Sequence, residues 1–156
     1  MTLDGWLRQD AAVPRLDREL LLMHQLKTDR AGLIRRAADP LTAAQLKDLD
    51  AGSARLAAGE PLAYITGARG FWDFTVTVTP AVLIPRPETE TLVEAALERL
   101  SPGETALDLG TGSGAIAIAL ARSGGAAVTA VDASADALVV ARNNAERLGA
   151  EIQFLE

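Results

Sequence analysis

Cysteine is absent from all 156 residues, which excludes a disulfide framework and any thiolate metal site. Aromatic residues make up only 4%, so a core has to be assembled from the abundant Ala, Leu, Val and Ile; the hydrophobic fraction of 49% is sufficient for one. Histidine occurs once, as His24 in a leucine-rich stretch, where a structural or solvent-edge role is the reading. No run of about 18 apolar residues is present, which excludes a spanning helix. The opening Met1 to Trp6 lacks the basic-then-apolar layout of a secretory signal. Basic residues are outnumbered, 15 Lys and Arg against 21 Asp and Glu, and the net charge of −6 argues against nonspecific binding to nucleic acid. The expectation is a cytoplasmic globular chain without a metal, without a membrane contact and without a direct nucleic-acid partner.

What is present centres on Thr105 to Gly114, T-A-L-D-L-G-T-G-S-G. Thr105, Ala106, Leu107 and Leu109 read as a short buried strand, and Ala115 to Ala121 as an apolar helix behind it. Gly110 and Gly112 give the turn backbone freedom and let a ligand approach the main chain, while Gly114 lets the helix start lie tight against the strand. Amide groups of the first helical turn then face the ligand with partial positive charge. The register of Gly110, Gly112 and Ala115 also fits a dinucleotide turn, and a purely structural turn is a third reading. Asp108 bears on the choice, because its carboxylate repels a pyrophosphate and attracts an ammonium or sulfonium. Asp132 closes the apolar stretch Ala127 to Val131, where a second parallel strand ends, and an acid there accepts from ribose hydroxyls. Together these features describe a pocket for S-adenosylmethionine (SAM), with Asp108, Gly110, Thr111, Gly112, Ser113, Gly114 and Asp132 as its residues.

The chain before this turn divides in two. Residues 1–58 have helical periodicity: a helix entered at Pro14 and carrying Leu16, Leu20, Leu21, Leu22 and Met23, a short one over Asp29 to Arg36, and a longer one over Ala43 to Ala58 with Thr42 and Gln45 as a capping box. A bundle of that size is marginal alone. Arg30, Arg35 and Arg36 form a basic cluster that reads as a solvated helix end, with contact to an acidic partner as the alternative. Residues 59–86 hold a connector, Gly59 to Gly67, and a period-two pattern over Phe71, Phe74, Val76 and Val78, followed after Pro80 by Val82-Leu83-Ile84, which predicts a β-hairpin. Residues 87–156 form the partial glycine-turn domain. Its entry, Pro85, Arg86, Pro87, Glu88 and Thr89, is a rigid polar loop leading into a helix over Glu88 to Leu100, suited either to walling a pocket or simply to starting that helix. Ser134 caps a later helix whose buried side is assigned to Leu138, Val139, Ala141 and Leu148, Gly149 ends it, and Ile152, Phe154 and Leu155 begin a third strand.

The connector G-E-P-L-A-Y-I-T-G at 59–67, the Phe71-Trp72 pair, V-L-I-P-R-P-E-T-E at 82–90 and D-L-G-T-G-S-G at 108–114, in that order after a helical region, resemble the HemK/PrmC family of N5-glutamine methyltransferases. The resemblance implies an α/β fold: a small N-terminal helical bundle, a β-hairpin linker, and the first half of a Rossmann-like SAM-dependent methyltransferase domain. It implies SAM as cofactor, with Gly110 to Gly114 along its methionine part and Asp132 on the ribose. It implies class-1 peptide-chain release factors as the protein partner in translation termination, their Gly-Gly-Gln loop presenting the glutamine and the bundle helping to recognise them. The stretch Pro85 to Glu90 resembles the family's stretch near its active site.

The family's Asn-Pro-Pro-Tyr motif, which aims the amide nitrogen at the methyl group, has no counterpart; the only asparagines are Asn143 and Asn144. No catalytic residue is therefore assigned. In this type of sheet, strand one is buried on both faces and flanked by strand four, so a chain stopping after strand three leaves it at an edge. The expectation is an N-terminal, inactive fragment of a longer two-domain enzyme, whose orphan edge is covered by a second chain or promotes aggregation. A noncatalytic partner-binding module and a methyltransferase for another amide or amine, such as adenine, remain as alternatives.

Overall fold

The computed structural model describes residues 1–9, 12–101 and 103–156, and these fall into two compact units, Met1–Thr66 and Gly67–Glu156. The first is helical: α1 (Leu3–Leu7), α2 (Arg15–Leu26), α3 (Arg30–Arg35), α4 (Ala43–Ala57) and α5 (Leu62–Thr66). Local chemistry starts and stops these helices. Thr42 accepts from the Gln45 amide at 3.2 Å while the Gln45 side chain accepts from the Thr42 amide at 2.9 Å, which is the expected capping box. Asp29 caps α3 through the Gly32 amide at 2.7 Å, and α2 ends where Lys27 turns left-handed.

Leu3, Trp6, Leu7, Leu21, Leu22, Leu33, Leu41 and Leu49 form the core of this unit, with Leu62 and Ile65 packed against it. The leucines of α2 are not all buried. Leu16 is 59% exposed while Arg18 and Glu19 are buried, because α2 turns its 18, 21 and 22 positions inward. The connector is held by Arg55, whose guanidinium grips the Glu60 carboxylate at 2.6 and 2.5 Å. That hydrogen bond, helped by the positive charge and opposed by desolvation, lowers the Glu60 carboxyl below its usual range.

The second unit opens with a hairpin, β1 (Ala68–Phe71) paired antiparallel to β2 (Phe74–Thr77). The hairpin is shorter and earlier than the periodicity suggested. Phe71 and Phe74 are directly paired, Trp72 and Asp73 make the turn, and Val82 to Ile84 are not a strand. Pro80 cannot donate to a ladder, so the chain leaves the sheet there. A 3₁₀ turn at Pro87–Thr89 precedes α6 (Glu90–Leu97), so the predicted single helix is split at its proline-containing start and ends earlier.

Then follow β3 (Thr105–Leu109), α7 (Ala115–Gly124), β4 (Ala127–Val131), α8 (Ala135–Leu148) and β5 (Ile152–Leu155), with the three strands parallel in the order β3-β4-β5. Asp108 pairs with Ala130 and Leu109 with Val131 in register. One face buries Val128 and Ala130 with the apolar residues of α7 and α8; the other leaves Leu107 and Leu109 at 61% and 72% exposure. β3 is an edge of the sheet among the described residues. No helix among them is long and apolar enough to cross a membrane.

Candidate functional site

Between β3 and α7 the backbone makes the turn that the three glycines require. Gly110, Gly112 and Gly114 have φ of 74°, 54° and 81°, the left-handed region that side chains disfavour. At Gly110 and Gly112 nothing lies within 4 Å of where a Cβ would stand, so the backbone there is open to a ligand. Gly114 differs, since a Cβ would meet Ala141 and Ile118 at 3.3 Å. Its smallness serves the packing of the turn against α8 rather than the close approach to the strand anticipated from the sequence.

The turn is held from both sides. The amides of Gly110 and Thr111 both donate to the Val131 carbonyl, at 2.8 and 2.9 Å, which ties the end of β3 to the end of β4. Asp108 is buried, and its carboxylate accepts from the Thr111 hydroxyl at 2.7 Å. Asp132 accepts from the Gly112 amide at 2.8 Å through one oxygen and from the Ser134 amide at 3.0 Å through the other. It thereby joins the glycine turn to the start of α8, where Ser134 caps the helix by accepting from the Ala137 amide. No side chain caps α7. Its N-terminal partial positive charge is thus presented at the turn, with two carboxylates hydrogen-bonded to that turn.

A cavity of about 120 Å³ lies over this turn. Gly110, Thr111, Gly112 and Ser113 line it together with Pro85, Arg86 and Thr89, and with Leu83 and Ile84. Phe71, Ala115 and Ile116 complete it. Two stretches that lie 20 or more residues apart are therefore brought to one site. Asp108, Asp132, Gly114, Pro87 and Glu88 are not part of the lining: the two acids hydrogen-bond the turn at Thr111 and Gly112, Gly114 packs on α8, and Pro87 and Glu88 are exposed on the 3₁₀ turn.

Two supports were not anticipated. Trp72 adopts φ of 55°, unusual for a bulky residue, and its amide donates to Glu90 at the start of α6 at 2.9 Å. Glu90 thus stabilises the turn that presents Phe71 to the cavity. Glu90→Ala is expected to destabilise the protein by about 1.5–3 kcal/mol, the worth of a hydrogen bond to a charged acceptor, read as a lower urea midpoint at unchanged slope.

The second support is Asn144, fully buried on α8. Its side-chain oxygen accepts from the Thr77 amide at 2.8 Å, and its nitrogen donates to the carbonyls of Thr77 at 2.9 Å and Ser113 at 3.0 Å. The amide group acts as one more rung on β2 and grips the glycine turn from beneath. Arg147 donates to the Asn144 oxygen at 3.1 Å and to the Thr75 carbonyl at 2.6 Å. The signal for Asn144 was its phase: it lies three residues after Ala141 and seven after Ala137, both buried. Assigning Val139 to the buried side obscured that phase; Val139 is 56% exposed.

A family model described as PrmC N-terminal domain matches residues 7–67, and one described as Methyltransferase domain matches residues 106–156. The release factor glutamine methyltransferase of Bordetella pertussis is 48% identical, over 99% of this chain and 58% of its own length. That of Koribacter versatilis is 50% identical, over 93% of this chain and 53% of its own. The chain spans about half the length of the curated relatives it matches. Among solved structures, P. horikoshii TYW2 in complex with MeSAdo superposes with a TM-score of 0.50 at 15% identity, over 57% of this chain and 34% of that one, a likeness of fold. The fold class expected from the sequence, a helical N-terminal region, a hairpin and a parallel sheet with helices of the Rossmann-like methyltransferase kind, is the one observed.

Proposed function

We propose that this chain, which belongs to the HemK/PrmC family over the part of those proteins that it spans, binds SAM at its glycine turn. In a protein that contains it, this site serves methyl transfer to the N5 amide nitrogen of a glutamine, the one in the Gly-Gly-Gln loop of class-1 peptide-chain release factors in the cytoplasm. The observation that carries the reading is the shared cavity of Gly110 to Ser113 with Pro85, Arg86 and Thr89. A glycine turn alone is common to many nucleotide-binding folds, but this loop lining the same cavity is not.

The residues present fit the cofactor. Open space at the Gly110 and Gly112 Cβ positions admits a ligand against the backbone. Asp132, fixed by the Gly112 and Ser134 amides, retains lone pairs for ribose hydroxyls. Asp108, held by Thr111, places negative charge near where a cationic amino acid moiety lies, and disfavours a pyrophosphate. When bound, SAM supplies an electrophilic methyl group on a sulfonium. The Pro85 to Thr89 wall, rigid through Pro85 and Pro87, limits where an incoming amide can stand, which matters because an amide nitrogen has a delocalised lone pair and reacts only when well aimed.

Calorimetric titration of the chain with SAM, S-adenosylhomocysteine and NAD tests the cofactor assignment. Heat from the first two and none from NAD is expected; NAD binding, or silence from all three in a sample with folded circular dichroism, would sink it. Incubating a protein that contains this chain with SAM and a class-1 release factor tests the substrate. One added methyl group on the Gly-Gly-Gln glutamine is expected, and methylation elsewhere or none would refute that assignment.

A further inference from the structure

The helical unit buries a guanidinium that no carboxylate among the described residues pairs with directly. Arg18, on α2, is 7% exposed, and its Nε and Nη1 are buried without a hydrogen-bond partner among the described residues. A guanidinium stays protonated in proteins, so burial cannot silence it, and an unpaired buried charge is strongly unfavourable. The neighbouring carboxylate is committed elsewhere: Glu19 bridges Arg15 at 3.0 Å and Arg30 at 3.2 Å.

Arg18 lines a cavity of about 480 Å³ together with Trp6, Gln9, Asp50, Ser53 and Ala54. The rear of that cavity is rigid. Trp6 is almost fully buried in the core, and its indole N–H donates to Asp50 at 2.8 Å, which fixes Asp50 as an acceptor at the rim. The cavity thus combines a guanidinium short of an acceptor with a carboxylate that can take a donor. An acidic side chain within a polypeptide offers both, its carboxylate to Arg18 and a main-chain N–H to Asp50. A hydrogenphosphate dianion brings two negative charges towards Asp50 where the acidic side chain brings one, and the peptide adds a neutral N–H donor on the Asp50 side.

We propose that this cavity is a docking site for an aspartate or glutamate side chain of a partner protein, with Arg18 as its anchor. The proposal concerns the helical unit alone and stands independently of the methyl-transfer reading.

Nitrogen-15 NMR of the full chain tests it, following the Trp6 indole and Arg18 Nε resonances. Titration with N-acetyl-glutamate N-methylamide is expected to move both with saturation. The glutamine analogue should bind about tenfold more weakly, the loss of a charge-assisted hydrogen bond, and inorganic phosphate should give no saturable shift. Arg18→Met should remove the Trp6 response while melting no lower than the parent, because it deletes an unpaired buried charge. Ala54→Leu, at an exposed cavity-lining position, should block the glutamate probe with Arg18 intact, and keeps the test decisive if the first variant fails to fold. Equal binding of the glutamine analogue, a saturable response to phosphate, absence of any response to the glutamate probe, or an undiminished response in a folded Arg18→Met or Ala54→Leu variant would overturn the proposal.

Discussion

Asn144→Leu is expected to lower stability by about 3–5 kcal/mol and to weaken SAM binding at the same time. Leucine matches asparagine in size, but it leaves the Thr77 amide and the Thr77 and Ser113 carbonyls without the partner that now serves all three. Each orphaned buried group costs about 1–3 kcal/mol, and partial rehydration at the hairpin edge offsets some of it. Because Asn144 holds Ser113, the loss reaches the turn itself. Hydrogen exchange should show faster opening of Thr77 and of the turn amides while the helical unit is unchanged. Asn144→Asp keeps the acceptor to Thr77 and loses both donations, placing a carboxylate beside two carbonyls, so it should be no milder. A stability loss under about 1 kcal/mol in either variant, less than one unsatisfied group costs, would show that the bridge is dispensable.

Asp132→Ala carries the other large effect, a fall in SAM affinity of about 100-fold or more. Two amide hydrogen bonds to the carboxylate are lost, Gly112 at 2.8 Å and Ser134 at 3.0 Å, along with the acceptor proposed for ribose hydroxyls. Hydrogen bonds to a charged group are each worth about 1.5–3 kcal/mol, and 1.4 kcal/mol is tenfold in affinity. Asp132→Asn separates the contributions. Its amide oxygen can still accept from Gly112 or Ser134 but carries no charge, so an intermediate loss is expected. Calorimetry is the measurement, and an Asp132→Ala affinity within threefold of the parent would falsify the placement of the ribose beside this residue.

The features read correctly from sequence share a short range. The capping box of Thr42 with Gln45, the Ser134 cap and left-handed Gly149 at the two ends of α8, and the strand-glycine-helix succession around Gly110 each depend on residues a few positions apart. The glycine turn and the Pro85 to Thr89 loop were also named from sequence, the loop through its family resemblance. That both line one cavity is a tertiary fact. The misreadings have physical causes as well. Val82 to Ile84 have strand-forming side chains, yet Pro80 withholds an amide and β2 has already ended at Thr77. Val139 looked like a core residue on apolarity alone, and only its phase relative to Ala141 and Ala145 shows that it faces outward.

The sequence by itself determined where the three parallel strands lie, where α4 and α8 are capped, and which turn needs left-handed glycines, because these follow from caps, periodicity and glycine conformation within one or two turns of chain. Tertiary structure alone decided that Asn144 supports the turn from a helix 31 residues beyond Ser113. It decided that Asp132 holds Gly112 from the neighbouring strand end, and that Arg18 is buried while Leu16 is not. Those outcomes depend on which distant backbone groups and side chains packing brings within hydrogen-bonding distance, and a buried polar group is assigned its role by the partner it meets there, not by its neighbours in the chain.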